Sequence, residues 1–331
     1  MLNNMASHSK IIGFGHYLPS RVLTNFDFEK SVDTSDEWIK TRTGIEKRHF
    51  TEDGETTSSM AIEASKKAIE RAGIHRDDIN LIIAGTVTGD FRYPSTATLI
   101  QKGLGLQRPV PSFDVAAACS GFVYGLTIAD AMIKSGAYKT VLVIGAENLS
   151  KFTDQKDRNT CVLFGDGAGA AIVQASEEEG IMGHHIAADG NYSHLICFPA
   201  DGSKQPTTED TVKKRLHYTK MEGQETFRHA VQIMSSASDK VLKTLGLTFD
   251  DISWIVPHQA NIRIVDAVAK RLKVQKEKVF TNLDHVGNTS AASIPISLSE
   301  MQDRNLLKRG DIVVLCALGS GLAYGSIVFR W

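Results

Sequence analysis

The stretch "GIHRDDINLII", Gly73 to Ile83, returns later in the chain as "GLTFDDISWIV", Gly246 to Val256. Each copy closes an amphipathic helical pattern and opens an apolar run typical of a buried strand. The copies lie 173 residues apart in a chain of 331 residues. A repeat at this distance indicates duplication of a whole folding unit.

Two further pairs of segments repeat at nearly the same offset. "SGAYKTVLVIGAE" matches "KRGDIVVLCALGSG", and "FDVAAACSGF" falls within a few positions of "LDHVGNTSAAS". Helical periods alternate with β-branched runs over Ser58 to Ala72 (helix), Asn80 to Val87 (strand), Ser120 to Ser135 (helix) and Thr140 to Gly145 (strand). The sequence therefore predicts an α/β fold of two similar halves, residues 1–175 and 176–331.

In a doubled α/β fold, strand ends from both halves can converge on one site. We therefore expect "AAACSG", "VPHQAN", "HVGNTS" and "LGSG" to lie together. The polar segment from Asp201 to His217 predicts an exposed loop. "GDGAGAAIV" lacks both phosphate-loop spacings and predicts close strand packing.

Composition excludes several functional classes. The chain is 42% hydrophobic and 23% charged, and its formal net charge of -1 gives no overall attraction to nucleic acid or anionic membrane. The strongest apolar runs have strand length, and the N-terminal "MLNNMASHSK" lacks the apolar stretch of a signal peptide. The four cysteines show neither zinc-site nor disulfide spacing. We expect a cytoplasmic protein with reduced thiols, no metal, and no nucleic-acid or membrane partner.

Cys119 lies where a strand ending near Val115 gives way to a helix. Free N–H groups and the helix dipole at such a place can lower a thiol pKa from about 8.5 to roughly 3.5–7.5. A small packing residue in a crowded turn is the alternative interpretation of Cys119.

Two other polar residues follow buried or close-packed segments. His258 comes after a strand and a proline, with Asn261 one turn further on, and Asn288 lies in a Gly-Asn turn flanked by small residues. Gly319, Ser320 and Gly321 end another strand, and their amides could face a developing negative charge. A structural histidine, an ordinary turn asparagine and a plain tight turn remain alternatives.

Together, Cys119 in "DVAAACSGF", His258 in "VPHQAN" and Asn288 in "GNTSAAS" resemble the Cys-His-Asn triad of the β-ketoacyl-acyl-carrier-protein synthase III family. The resemblance extends from "KIIGFGHYLP" through "VDTSDEWIKTRTGIEKRH" to "GSIVFRW". It implies a thiolase-like, five-layered αβαβα fold and a homodimer. It also implies a decarboxylative Claisen condensation of an acyl-CoA, with acetyl-CoA as the expected starter, and malonyl-acyl-carrier protein. This reaction begins fatty-acid synthesis and needs no cofactor, since coenzyme A is part of the substrate.

The resemblance also assigns roles to single residues. Cys119 is implied to carry the acyl group, with the amides of Cys119 and Ser320 as the oxyanion hole. His258 and Asn288 are implied to donate hydrogen bonds to the enolate. The residues implied to bind coenzyme A are Trp38, Arg42, Arg158, Phe227 and Asn261, while Gln224 stands where the family has a familiar asparagine.

Two more groups of residues follow from the same resemblance. Tyr93 is implied to reach across the dimer and close an acyl pocket near Leu318. Arg263, Lys270 and Arg271 lie on one side of a helix and form a basic patch for an acidic carrier protein. A solvated charged helix face is the alternative interpretation of this patch.

Three rival functions fit parts of the pattern. A related condensing enzyme of secondary metabolism would share the motifs but use other acyl chains and CoA acceptors. A papain-like protease uses cysteine, histidine and asparagine in the same order, but the signature C-G-[SA]-C-[WY] is absent and that fold leaves the duplication unexplained. A non-catalytic scaffold would have little reason to keep these residues together.

Overall fold

A computed structural model describes residues 8–331. Residues 1–7 lie outside the described residues. They make up most of the N-terminal segment for which the sequence predicts no signal peptide. No helix in the described part of the chain is both long and apolar enough to cross a membrane.

The strands are β1 (His8–Tyr17), β2 (Arg21–Thr24), β3 (Lys47–Phe50), β4 (Leu81–Gly85), β5 (Ser112–Val115), β6 (Thr140–Asn148), β7 (Asp166–Ser176), β8 (Ile181–Ala188), β9 (Ile196–Cys197), β10 (Lys220–Met221), β11 (Trp254–Pro257), β12 (Ile312–Gly319) and β13 (Ala323–Arg330). The helices are α1 (Asn25–Glu29), α2 (Asp36–Thr43), α3 (Thr57–Ala72), α4 (Thr96–Leu104), α5 (Gly121–Lys134), α6 (Arg158–Cys161), α7 (Glu209–Lys213), α8 (Gly223–Thr244), α9 (Ile262–Leu272), α10 (Leu283–Val286) and α11 (Ser293–Asp303).

Two sheets carry the duplication. The first has the order β1-β7-β6-β4-β5, and the second has the order β11-β12-β13-β8. Read from β8, the second sheet follows the first strand for strand, and a parallel bridge between Ile255 and Val279 takes the place of β5. The two halves predicted from the repeat are therefore confirmed as a structural duplication. The boundary at residue 175 stays a prediction, and β7 ends one residue later, at Ser176.

Helices form the remaining three layers. Helices α3 and α4 cover one face of the first sheet, α8 covers the second sheet, and α5 and α11 lie between the sheets. The central helices approach the strands closely, since a Cβ on Gly169 of β7 would lie 2.7 Å from the backbone nitrogen of Ile296 in α11. This αβαβα arrangement confirms the predicted fold class.

The almost uncharged sequence of α5 explains its central place. Phe122, Val123 and Leu126 are fully buried in the largest hydrophobic cluster. Its buried Asp130 accepts hydrogen bonds from Ser9 Oγ at 2.7 Å and Lys134 Nζ at 3.0 Å, so that charge is paired.

Three local predictions need correction. Strand β6 continues to Asn148, three residues beyond its predicted end at Gly145. Strand β4 ends at Gly85, two residues before the predicted end, because the Val87 N–H donates to the Glu147 carboxylate instead of a neighbouring strand. The segment from Asp201 to His217 is not wholly a loop, because helix α7 lies within it and Thr211 is buried.

Candidate active site

Two equivalent turns lead into the central helices. Before α5, the 3₁₀ turn Ala118–Ser120 begins with Ala118 at φ 46°. Before α11, the 3₁₀ turn Ser290–Ala292 begins with Ser290 at φ 50°. The duplication thus brings two matching strained turns into contact at the centre of the molecule.

Cys119 lies in the first turn and is half-buried. Burial raises the pKa of its thiol to about 12, while the neighbouring Ser290 side chain opposes that shift. The expected lowering of the Cys119 pKa at the start of a helix is therefore wrong for this structure, because loss of hydration outweighs the local donors. The resting residue is a neutral thiol.

The Cys119 amide lies against the second half of the molecule. A Cβ on Gly319 would lie 2.7 Å from the Cys119 nitrogen, so only glycine leaves the space beside this amide open. Ser320 follows in its own 3₁₀ turn and donates its hydroxyl to the Ile196 carbonyl at 2.5 Å. The oxyanion hole formed by the Cys119 and Ser320 amides stays a prediction.

His258 follows β11 and is almost fully buried. Its N–H donates to the Cys316 carbonyl at 2.8 Å, and its Nδ1 lies 2.7 Å from Ser293 Oγ. Burial lowers the pKa of His258 to about 4, so the imidazole is neutral at physiological pH. His258 is the residue after the end of β11, and α9 begins only at Ile262, with Asn261 as its N-cap.

Asn288 is fixed by the turn in which it lies. Its N–H donates to the Leu163 carbonyl at 2.9 Å, and its Oδ1 accepts the Ser290 N–H at 2.9 Å. Because a backbone N–H can only donate, the side-chain atom facing it is the oxygen. The Asn288 NH₂ group is therefore the part of the side chain left for a substrate.

One cavity of about 1170 Å³ connects these groups to solvent. Nine of the predicted site residues line it, namely Trp38, Arg42, Cys119, Phe227, His258, Asn261, Arg263, Asn288 and Leu318. The convergence predicted from the repeat thus holds for all four segments, "AAACSG", "VPHQAN", "HVGNTS" and "LGSG", each of which contributes a lining residue. A neutral thiol, a neutral imidazole and an amide at one cavity suit acyl transfer with stabilisation of a developing anion.

The mouth of the cavity carries an aromatic ring and arginines. The Arg158 guanidinium carbon lies 5.1 Å from the centre of the Trp38 ring. Asn261 Nδ2 donates to the Arg42 carbonyl at 3.0 Å, which ties α9 to the end of α2. The guanidinium of Arg263 lies 5.7 Å from the Phe227 ring. Such a surface can stack a heterocycle and bind phosphate.

Known proteins match the chain over nearly its whole length. Two family models match, 3-oxoacyl-[acyl-carrier-protein (ACP)] synthase III over residues 113–190 and the C-terminal model of the same enzyme over residues 242–331. The β-ketoacyl-[acyl-carrier-protein] synthase III of Caldanaerobacter subterraneus is 51% identical over 97% of each chain.

The chain belongs to the 3-oxoacyl-[acyl-carrier-protein] synthase III family.

Solved structures agree with this assignment. The crystal structure of the synthase III from Aquifex aeolicus is 46% identical, covers 98% of this chain and 100% of its own, and has a TM-score of 0.90. The priming β-ketosynthase of the R1128 polyketide pathway is 32% identical, covers 100% of this chain and 98% of its own, and has a TM-score of 0.92. The resemblance that the sequence motifs carry is confirmed.

The remaining predicted site residues do not line the cavity. Arg158 reaches it only through Trp38, and Ser320 lies beside Leu318, which does line it. Tyr93 is 85% exposed. Lys270 and Arg271 lie on the exposed side of α9. The roles assigned to these five residues stay predictions.

Sequence reasoning missed three polar residues that contact the site. Ser290 lies beside Cys119, and Ser293 contacts His258. Glu147 accepts hydrogen bonds from Thr88 Oγ1 at 2.5 Å and Ser290 Oγ at 3.3 Å. Burial raises the pKa of Glu147 to about 7. The serines could have been singled out from "GNTSAAS", which aligns with the nucleophile segment, but nothing in the local sequence marks Glu147.

No group of three or more metal-ligating side chains occurs within residues 8–331.

Proposed function

We propose that this protein condenses an acyl-CoA with malonyl-acyl-carrier protein, releasing CO₂ and coenzyme A and forming a β-ketoacyl-acyl-carrier protein. The observation that carries the proposal is the convergence of Cys119, His258 and Asn288 on one solvent-connected cavity. Family membership supports the same reaction, which begins fatty-acid synthesis.

In the first step, the Cys119 sulfur attacks the thioester carbonyl of the acyl-CoA. The carbon–sulfur bond to coenzyme A breaks, and the thiol proton ends on the released coenzyme A. The carbonyl oxygen is negative in the tetrahedral intermediate, so amides beside Cys119 would stabilise it. The space kept open at Gly319 supports this role for the Cys119 amide.

In the second step, the malonyl group loses CO₂ and leaves an enolate on its thioester. His258 and Asn288 donate hydrogen bonds to the enolate oxygen, and its carbon attacks the acyl-cysteine. The Cys119 thiolate leaves and takes up a proton from solvent. A neutral imidazole and an amide suit this task better than a carboxylate, which would repel the negative charge.

Trp38, Arg42 and Arg158 would hold the adenine and phosphate end of coenzyme A at the mouth of the cavity. The stacked pair of Arg158 and Trp38 supports this proposal. Phe227 and Asn261 line the same cavity, through which the pantetheine arm would pass.

The proposal is tested by mixing the purified protein with acetyl-CoA and measuring its intact mass. We expect the mass of one acetyl group on Cys119, followed by its loss and formation of acetoacetyl-carrier protein when malonyl-carrier protein is added. A protease would acquire no acyl group. Acylation without any condensation product would contradict the proposed second step.

A role in polyketide priming is the second candidate, favoured by the structural match to the R1128 β-ketosynthase. Condensation rates across acetyl, branched and longer acyl-CoAs, each with malonyl-carrier protein, separate the two. Preference for acetyl-CoA supports fatty-acid initiation, and preference for a longer starter supports priming of another pathway.

We propose that the carrier protein docks on the exposed residues of α9. Arg263 lines the cavity and stacks on Phe227, so its charge reversal would disturb both substrates. Lys270 and Arg271 lie outside the cavity and test docking alone. Their change to Glu should raise KM for malonyl-carrier protein and leave Cys119 acylation intact, and equal loss in both half-reactions would contradict docking.

We further propose a homodimer in the cytoplasm. The exposed apolar residues Val87, Phe91 and Tyr93 follow β4 on one short segment, and their burial would favour association. Light scattering on the purified protein should give twice the mass of the chain, and a Tyr93→Asp variant should shift it toward the monomer.

A further inference from the structure

Two serine–histidine pairs involve helix α11, and one of them lies at the active site. Ser293 begins the helix and is buried, and its Oγ lies 2.7 Å from His258 Nδ1. The same Oγ accepts the Gln259 N–H at 3.3 Å. Among residues 8–331, these are the two hydrogen-bond partners of the Ser293 hydroxyl.

The proton positions follow from these partners. A hydroxyl has one hydrogen to donate and two lone pairs to accept. Since the Gln259 N–H takes one lone pair, a hydrogen on His258 Nδ1 would take the second and leave the Ser293 hydrogen without an acceptor in a buried place. If instead Ser293 donates to Nδ1, the Ser293 hydroxyl, His258 Nδ1 and the Gln259 N–H all have a partner, as buried polar groups generally do.

We propose that Ser293 is a positioning residue that holds His258 in the tautomer with its hydrogen on Nε2. Nε2 is the ring nitrogen left for the cavity that Cys119 and Asn288 also line. His258 is thereby a hydrogen-bond donor, the role that an enolate requires, and is not set up to accept the thiol proton of Cys119. The functional part of this proposal rests on the proposed condensation.

The same helix carries a matched control. Ser299 is also buried, and its Oγ lies 2.8 Å from His16 Nδ1. Neither Ser299 nor His16 lines the cavity. Ser293→Ala and Ser299→Ala therefore each remove from α11 one serine hydroxyl that contacts a histidine Nδ1. Only the first removal affects a histidine at the cavity.

The position of the imidazole hydrogen of His258 can be determined without an activity assay. Nitrogen-15 NMR of imidazole-labelled protein, with His258 assigned by comparison with His258→Gln, should show the bonded hydrogen on Nε2 in the wild type and in Ser299→Ala. In Ser293→Ala, His258 should carry the hydrogen on Nδ1 in a fraction of the molecules. A hydrogen on Nδ1 in the wild type overturns the proposal, and this result stands even if Ser293→Ala fails to fold.

Kinetics provide the second readout. Ser293→Ala should lower the rate of malonyl decarboxylation and condensation about tenfold to 100-fold, within the loss seen for a single anion-stabilising donor. The rate of Cys119 acylation by acetyl-CoA should stay within about twofold of the wild type. Ser293→Thr, which keeps the hydroxyl, should recover condensation, whereas equal losses in both half-reactions of Ser293→Ala with an unchanged tautomer would overturn the assignment.

Discussion

The turns before α5 and α11 have the same backbone but different chemistry. Aligned on Ala118 and Ser290, both at positive φ, the nucleophile Cys119 falls on Ala291. The residues aligned with Asn288 and Ser293 are Ala116 and Gly121. One half of the duplicated fold thus carries the attacking sulfur, and the other carries the donors that surround it.

Because the nucleophile and the hydrogen-bond donors lie in different halves, the site depends on contact between the halves. The Ser290 side chain of the other turn lies against the sulfur of Cys119. Glu147 at the end of β6 accepts a hydrogen bond from the same serine. Neither turn could perform both half-reactions alone, and substitutions that make one turn resemble the other test this directly.

The largest expected effect comes from Cys119→Ala, which gives the first turn the residue found at the equivalent place in the second. We expect no acylation and a loss of turnover on the order of 10⁶, as for loss of other covalent nucleophiles. Because an alanine, Ala291, already occupies the equivalent backbone position in the second turn, the variant should remain folded. Intact mass after incubation with acetyl-CoA checks the first expectation, and circular dichroism checks the second.

Asn288→Ala gives the second turn the alanine that Ala116 provides in the first. We expect condensation to fall about 10²–10³-fold, because one donor to the enolate is lost. Acylation of Cys119 should continue, so acyl-enzyme should accumulate in rapid-quench experiments. Failure of acylation in this variant would show that Asn288 also serves the first step.

Glu147→Gln tests the buried carboxyl group that accepts a hydrogen bond from the Ser290 side chain. Burial raises the pKa of Glu147 from 4.5 to about 7, so between those pH values the folded protein holds a proton that the unfolded chain has lost. The Glu147 contribution to the free energy of unfolding therefore falls by about 3 kcal/mol as pH rises from 4.5 to 7.

The variant lacks this contribution. The measurement therefore compares how the free energy of unfolding changes with pH in the two proteins. Buried His258, whose pKa is lowered to about 4, acts in the opposite direction but equally in both proteins. Denaturant titrations from pH 4.5 to 7 should show the wild type losing stability relative to Glu147→Gln. Parallel curves would mean that Glu147 is ionised in the folded protein throughout.

The smallest effect is expected for Ala291→Cys in the Cys119→Ala background, which moves the thiol to the second turn. Ala291 is buried and does not line the cavity, so acetyl-CoA should not acylate the new cysteine. The larger side chain should cost about 1–3 kcal/mol of stability from overpacking. An acetylated product would show that the two turns are interchangeable.

The sequence alone predicted the fold class and the three central site residues, because these depend on an internal repeat and on recognisable motifs. The 173-residue offset predicts the doubled fold because each half encodes the same alternation of helix and strand. Cys119, His258 and Asn288 stand in separate loops of that repeat, and the structure places them at one cavity. The predicted element ends differ by a few residues, as for β4, where a distant carboxylate captures the Val87 N–H.

The tertiary structure decided what depends on contacts between distant segments. The Cys119 pKa is raised because the turn is packed between two sheets, whereas the local sequence shows only the start of a helix. The tautomer of His258 depends on Ser293, 35 residues away, and the ionisation of Glu147 depends on its burial beside Ser290. The sequence determined which residues the two halves contain, and close packing determined the proton held by each, because hydration and hydrogen-bond partners exist only once the halves meet.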